Sequence, residues 1–208
     1  MFVNTRQTSV ENALRASRIR SISALALVCL PIALAHADVS AQGNWSPPGG
    51  SPFLTQVQQA TAGLRDINAA ANAGWFGRDP FCVSGEDRGA MGVHVANPAL
   101  IGGGQPDVSK PQILIYEPQA NGSMVLVGVE YVVIAALWDA QHTGLPPGVP
   151  SVPAVAGQLM DFIPAPNRYG QPAVYSLHAW AWRNNPKGNF AQWNPNVTCE
   201  KQPLPMNQ

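Results

Sequence analysis

The first patterned segment beyond residue 50 repeats its apolar side chains every three or four residues. This spacing places them on one face of a helix. The face consists of Val57, Ala60, Leu64, Ile67 and Ala71. The pattern predicts an amphipathic helix from about residue 55 to residue 73, which Gly74 ends because glycine is favoured just after a helix.

Further along the chain, apolar and polar positions alternate, which is the spacing of a β-strand. Four segments are strand-like in this way: 91–97, 112–117, 123–133 and 174–183. The second and third are joined across Asn121-Gly122, a strong hairpin signal. We therefore predict an α+β fold, in which one N-terminal amphipathic helix is packed on a small, mainly antiparallel β-sheet with long Pro/Gly-rich loops.

The predicted hairpin determines which side chains share a face of the sheet. A two-residue turn at Asn121-Gly122 pairs Glu117 with Leu126 and Ile113 with Glu130. Because side chains alternate along a strand, both glutamates point the same way, on a face that also includes Ile113, Ile115, Leu126 and Gly128. The opposite face is predicted to hold Tyr116, Val125, Val127, Val129 and Tyr131. A carboxylate among such apolar neighbours is costly unless it is paired or bound to a cation.

Histidines supply the possible partners of these glutamates. His94 and His178 lie inside predicted strands, whereas His142 lies in a loop and is expected to be solvated. Two imidazoles and one carboxylate suit a divalent transition metal such as Zn²⁺, Cu²⁺ or Fe²⁺. We predict His94 and His178 as ligands with one glutamate, and Glu130 is favoured over Glu117. The two carboxylates are expected to start about 13 Å apart along the strands, too far to share one ion.

The same residues also fit a buried hydrogen-bond network without a metal. In that interpretation the glutamates pair with Arg183, Arg168 or Lys110, and the protein is a non-enzymatic structural or ligand-binding domain. Trp180 and Trp182 alternate in an apolar strand, which favours core positions over a sugar-stacking surface. The sequence has no G-x-S-x-G, P-loop or H-E-x-x-H motif, so it does not decide whether the protein is an enzyme.

The N-terminus has the order of a secretory signal: four arginines, the apolar run 22–35 and then Ala35-His36-Ala37. We predict a signal peptide over residues 1–37, a flexible leader over 38–53 and a single globular domain over 54–208. The protein is then secreted or periplasmic. No later segment is apolar and long enough to predict a permanent membrane span.

Removal of the signal changes the charge of the chain. The full sequence has 12 basic and 12 acidic residues, and the signal contains four of the former and one of the latter, which leaves eight and eleven. A mildly acidic, charge-poor chain lacks the basic surface that nucleic acids require. We therefore expect no nucleic-acid partner, and the sequence names no other.

Two cysteines, Cys82 and Cys199, follow the predicted signal. In an oxidising compartment the simplest expectation is one disulfide between them. The alternative is a reactive Cys82 thiol with His94 or His178 as its base.

Four short blocks in the chain form a recognisable series. They are Gly89–His94 (GAMGVH), Leu114–Pro118 (LIYEP), Gly128–Tyr131 (GVEY) and Leu177–Pro186 (LHAWAWRNNP). In this order they resemble a family of uncharacterised secreted bacterial proteins with GMGxH, YEP, VEY and LHxWxW blocks. The resemblance covers about residues 55–199 and implies one folded unit, and it implies no activity.

Overall fold

The structure of the protein is a computed structural model that describes residues 51–78, 81–85, 87–144, 151–167 and 170–202. The predicted signal over 1–37 and most of the predicted leader over 38–53 lie outside the described residues. Among the described residues, no helix has the length and apolar character needed to cross a membrane.

The predicted N-terminal helix is present but is divided into two. Helix α1 covers Pro52–Thr61, a 3₁₀ turn follows at Ala62–Leu64, and α2 covers Ile67–Asn72. The break has a local cause, because the Asp66 carboxylate accepts the backbone N–H groups at the start of α2 and so acts as a new N-cap. The prediction of one continuous helix over 55–73 is therefore wrong, although the end near Gly74 is right.

The predicted sheet is confirmed as antiparallel, and it is larger than expected. The strands are β1 (Gly77–Arg78), β2 (Val83–Gly85), β3 (Gly89–Ala96), β4 (Ile113–Pro118), β5 (Met124–Ile134), β6 (Ala154–Val155), β7 (Gln158–Leu159), β8 (Asp161–Ile163) and β9 (Val174–Ala179). Among the described residues seven strands join in the order β1-β3-β4-β5-β9-β8, with β2 also paired to β3, while β6 and β7 form a separate hairpin. A third helix, α3 (Ala135–Gln141), follows β5 directly.

The β4–β5 hairpin differs from the predicted register near its turn. Glu117 pairs with Val125, not with Leu126, because the turn contains three residues between Gln119 and Ser123. A β-bulge at Val127 then adds one residue to β5. The two one-residue differences cancel, so Ile113 pairs with Glu130 as predicted.

The bulge changes the predicted faces between residues 125 and 127. Leu126 belongs to the main apolar cluster with Tyr116, whereas Val125 and Val127 belong to a second cluster with Ile115. These three assignments were therefore reversed in the sequence prediction. From Gly128 onward the predicted faces hold, because the bulge has restored the register.

The main apolar cluster lies on one face of the sheet. Leu54 and Val57 of α1 are fully buried and belong to this cluster, together with Leu114, Val129 and Leu177 of the central strands. The opposite face of the same strands presents the predicted polar residues. The sheet therefore separates the core from the candidate site.

Cys82 and Cys199 are joined by a disulfide, with their Cα atoms 5.5 Å apart. The predicted pairing is thus the one found. A disulfide sulfur has no thiolate to offer, so the structure contradicts the alternative of a nucleophilic Cys82.

Candidate metal centre

Three of the predicted site residues meet on the face of the sheet opposite the main core. Glu130 lies in the middle of β5, directly across from His178 on β9. His94 lies on β3 across from Ile115, so the strand β4 separates it from β5. Neighbouring strands are about 4.8 Å apart, so long side chains are needed to meet above β4. Histidine and glutamate are long enough to do so.

The donor atoms of these side chains form one compact group. His94, Glu130 and His178 each offer a ligand atom, and the three atoms lie within 4.8 Å of one another. Nε2 of His94 is 3.6 Å from Oε2 of Glu130. The two imidazole rings have centroids 5.9 Å apart and are perpendicular. The structure therefore brings together two histidines and the favoured glutamate.

Burial affects the charge that these groups can hold. His94 and His178 are only 6% and 5% exposed, and the side chain of Glu130 is 12% exposed. Burial lowers the pKa of His178 to about 4, with a smaller opposing effect from the charge of Asp161. His178 is therefore neutral near pH 7, which is the form that binds metals. Its Nε2 atom is buried and has no hydrogen-bond partner among the described residues.

Two neighbouring side chains orient the ligands. The Ser176 hydroxyl donates a hydrogen bond to Oε1 of Glu130, which leaves Oε2 directed at His94. The indole of Trp180 stacks on the His178 ring at 6.2 Å, and its Nε1 donates to the carbonyl of Ala191. Such outer contacts fix the direction of metal ligands in known sites.

Gly128 gives this indole its space. A Cβ atom at residue 128 would lie 3.1 Å from Cε3 of Trp180 and 3.0 Å from the Ala179 carbonyl oxygen. Any larger residue would therefore require the indole or the Ala179 carbonyl to shift by a few tenths of an ångström. Gly128 was predicted to share a face with the site residues, but the space that it gives to the indole beside His178 was not predicted.

The structure does not bring the fourth predicted candidate, Glu117, to this group. Its carboxylate forms an ion pair with Arg183 through Oε2 and accepts the backbone N–H of Thr198 through Oε1. In the metal-free alternative that the sequence also allowed, a glutamate pairs with Arg183. Glu117 forms this pair. Lys110 pairs with Asp107, and Arg168 lies outside the described residues.

We expect Arg183→Met to lower the free energy of unfolding by about 3 kcal/mol, because it leaves the buried Glu117 carboxylate without its cation. This value is at the lower end of the range for a buried pair, since the Arg183 side chain is 28% exposed and the Thr198 N–H still binds Glu117. Urea denaturation measures it. We expect the double variant Arg183→Met, Glu117→Gln to regain much of the lost free energy of unfolding. If the single and double variants are destabilised equally, the ion-pair explanation is wrong.

His142 is not simply solvated, contrary to the sequence prediction. It follows α3, and its Nδ1 is 2.8 Å from the carbonyl oxygen of Trp138. Its ring stacks on that of Trp138 with centroids 3.8 Å apart. His142 therefore packs against the end of a helix, outside the group that contains His94 and His178.

The tryptophans of β9 and its extension occupy core positions, as predicted. Trp180 is fully buried, and Trp182 is partly buried against the main cluster with its Nε1 donating to Thr61. Their indole nitrogens are used in internal hydrogen bonds. Neither presents a free ring face of the kind that a sugar-stacking surface requires.

A cavity of about 770 Å³ opens over the three candidate ligands, which form part of its lining. No family model matches the sequence, and no curated protein or solved structure matches the chain.

Proposed function

We propose that the protein binds one divalent transition metal ion through His94, Glu130 and His178, outside the cytoplasm. One pair of observations supports this most directly: three donor atoms from three strands lie within 4.8 Å of one another, and the Nε2 atom of His178 is buried without a hydrogen-bond partner among the described residues. A buried polar atom of this kind is costly, and a metal bond would compensate it.

The dimensions of the group are close to those of a coordination shell. An ion with bonds of about 2.0–2.1 Å in tetrahedral geometry holds its ligand atoms about 3.3 Å apart. The 3.6 Å between Nε2 of His94 and Oε2 of Glu130 is already near this value. Small rotations of the His178 side chain would bring the third donor into place.

Electrostatics also favour a cation. The Glu130 carboxylate is turned toward two imidazoles on a sheet face where little water reaches it. A divalent ion with one carboxylate and two neutral imidazoles leaves a net charge of +1. Burial of an uncompensated carboxylate is less favourable than burial of such a complex.

The alternative is a structural network in which a protonated His94 pairs with Glu130. The 3.6 Å contact and the Ser176 hydroxyl favour that interpretation for Glu130. It leaves Nε2 of His178 buried and without a partner among the described residues. A metal ion engages all three side chains, so we prefer the metal site.

The ligand set suits Zn²⁺, Cu²⁺ or Fe²⁺, and three protein ligands leave at least one position for a further molecule. A metal held in this way supplies Lewis-acid or redox chemistry at its open position. The site is therefore compatible with a metalloenzyme as well as with a metal-binding protein.

The location outside the cytoplasm rests on the predicted signal over 1–37 and agrees with the Cys82–Cys199 disulfide, which persists in oxidising compartments. We also propose that α1 covers the sheet face opposite the site. Its buried Leu54 and Val57 support this arrangement, which leaves the face with the ligands open to molecules from outside.

The test is metal analysis of untagged protein that has been reconstituted with Zn²⁺ and dialysed. We expect one equivalent per chain, and we expect Glu130→Gln to weaken binding by more than the roughly 10–100-fold that loss of an outer partner costs. The substitution keeps the shape of the side chain and an oxygen that can accept from Ser176.

Glu117→Gln is the matched control, because it makes the same change on the same two-stranded hairpin, at a carboxylate bound to Arg183. We expect this variant to keep its metal and to lose stability. Wild-type protein without bound metal after reconstitution would contradict the proposal, as would equal losses of metal in both variants.

A further inference from the structure

The cavity over the candidate metal centre has the size of a small-molecule site. Its volume of about 770 Å³ lies within the range of about 300–1,000 Å³ that is typical of ligand pockets. His94, Glu130 and His178 line it together with other residues of the sheet strands and with residues of neighbouring loops. A metal ion at the three ligands would therefore face the cavity with its open position.

The remaining walls are mostly apolar. Five apolar lining residues belong to the strands that carry the ligands: Met91, Ala96, Val132, Ile134 and Val174. Ile113 belongs to β4, between β3 and β5, and Ile163 belongs to the edge strand β8. The others lie in loops and are Phe81, Pro98, Ile101 and Pro172. Such walls favour an aliphatic or aromatic body, because each apolar surface removed from water stabilises the complex.

Among the described residues that line the cavity, the charged and titratable side chains are those of the candidate metal centre. None of these lining residues is lysine, arginine or aspartate, and Glu130 is the only carboxylate among them. Gln171 and Gln192 also line the cavity and are exposed to solvent. A divalent ion with Glu130 has a net charge of +1, so a ligand with a single negative oxygen donor neutralises the site.

We infer that the cavity binds a small monoanionic molecule, of the carboxylate or phenolate class, whose oxygen coordinates the metal and whose apolar body fills the space above it. This inference rests on the proposed function, since the metal supplies the charge that the anionic head recognises. The apolar walls exclude polyanions and cations, because neither finds a compensating partner among the described lining residues.

The test uses the oxidised mature protein loaded with Co²⁺, an ion that occupies zinc sites and has a visible spectrum. Octanoate, acetate and octylammonium are titrated as probes. We expect octanoate to change the Co²⁺ spectrum and to bind at least about 100-fold more tightly than acetate, because each buried methylene contributes about fourfold. Octylammonium should not bind detectably.

A pair of neighbouring variants locates the ligand. Ile163 lines the cavity, whereas the adjacent Phe162 points away, is exposed and contacts the ring of Tyr175. We expect Ile163→Trp to weaken octanoate binding by at least about tenfold while metal binding is retained. Phe162→Trp, which introduces the same residue on the opposite face of β8, should leave octanoate binding unchanged.

The outcomes separate this inference from the proposed function. If the protein binds Co²⁺ but octanoate does not bind, or binds equally well to metal-free protein, the inference is wrong and the metal site stands. Tight binding of octylammonium would show that the site does not select an anionic ligand. The inferred ligand class would then be wrong, and the metal site would stand. A protein that takes up no metal overturns both.

Discussion

Replacing His178 with phenylalanine is expected to abolish metal binding and to stabilise the metal-free protein. The imidazole Nε2 is buried without a hydrogen-bond partner among the described residues, and such an atom costs about 1–3 kcal/mol. Phenylalanine removes this cost and can keep the stacking on Trp180. Because its ring is slightly larger, we expect a net gain of about 1 kcal/mol in the free energy of unfolding.

The same substitution has the opposite effect when metal is present. A metal at a thousand times its dissociation constant stabilises the folded state by about 4 kcal/mol, and a variant that cannot bind it gains nothing. Wild-type protein should therefore be the more stable of the two with Zn²⁺ and the less stable with a chelator. Urea denaturation under both conditions measures this reversal.

His142→Phe is the control for this experiment. It makes the same change at a histidine outside the group, where the ring stacks on Trp138 and Nδ1 lies near the Trp138 carbonyl. We expect metal binding to be unaffected and stability to fall by about 1 kcal/mol through the lost hydrogen bond. If His178→Phe destabilises the metal-free protein by more than this, the imidazole has a structural role and the metal proposal is weakened.

The convergence of the three ligands could be predicted because it depends on the parity of strand positions. Every second residue of a strand faces the same way, so Glu130 and His178 share a face once their strands pair. The pairing of Ile113 with Glu130 was predicted correctly although the predicted turn was one residue too short. The bulge at Val127 offsets the extra turn residue. The predicted faces of β5 were therefore correct from Gly128 onward, and they were wrong between the turn and the bulge.

The features that escaped prediction depend on contacts between distant segments. Helix α3 follows β5 without a cap signal, since no side chain caps its first turn. Strand β8 lies in the proline-rich segment 144–172 and gains its place only by pairing with β9. Isolated strands of this length have no stability of their own. Local patterns therefore could not reveal them.

The different partners of Glu117 and Glu130 also could not be predicted from local sequence patterns. Both were predicted to point to one face, and the sequence offered each of them metal ligands and basic partners alike. Glu117 meets Arg183 and Thr198 because the C-terminal segment folds back over the hairpin end. Glu130 meets His94 because it lies four residues further along the paired strand. Only the tertiary arrangement assigns one to structure and one to the candidate site.

Reduction of the Cys82–Cys199 disulfide is expected to lower the free energy of unfolding by about 4–5 kcal/mol. The two cysteines are 117 residues apart, and opening a loop of that length restores much conformational entropy to the unfolded chain. In the folded state the segment around Cys199 also keeps other attachments, namely the bridge between Ala90 and Asn194 and the hydrogen bond from Thr198 to Glu117.

These attachments allow the reduced protein to remain folded in water while it unfolds more easily in denaturant. We expect the urea midpoint to fall by about 2 M, given a slope of about 2 kcal/mol per molar for a domain of this size.

A Cys82→Ala, Cys199→Ala double variant should reproduce this midpoint without reductant. Adding reductant to that variant should cause no further change, which controls for effects of the reagent itself. A shift of less than about 0.5 M in both cases would mean that the loop closed by the disulfide contributes little to stability, and that the remaining contacts of the C-terminal segment are sufficient to hold it.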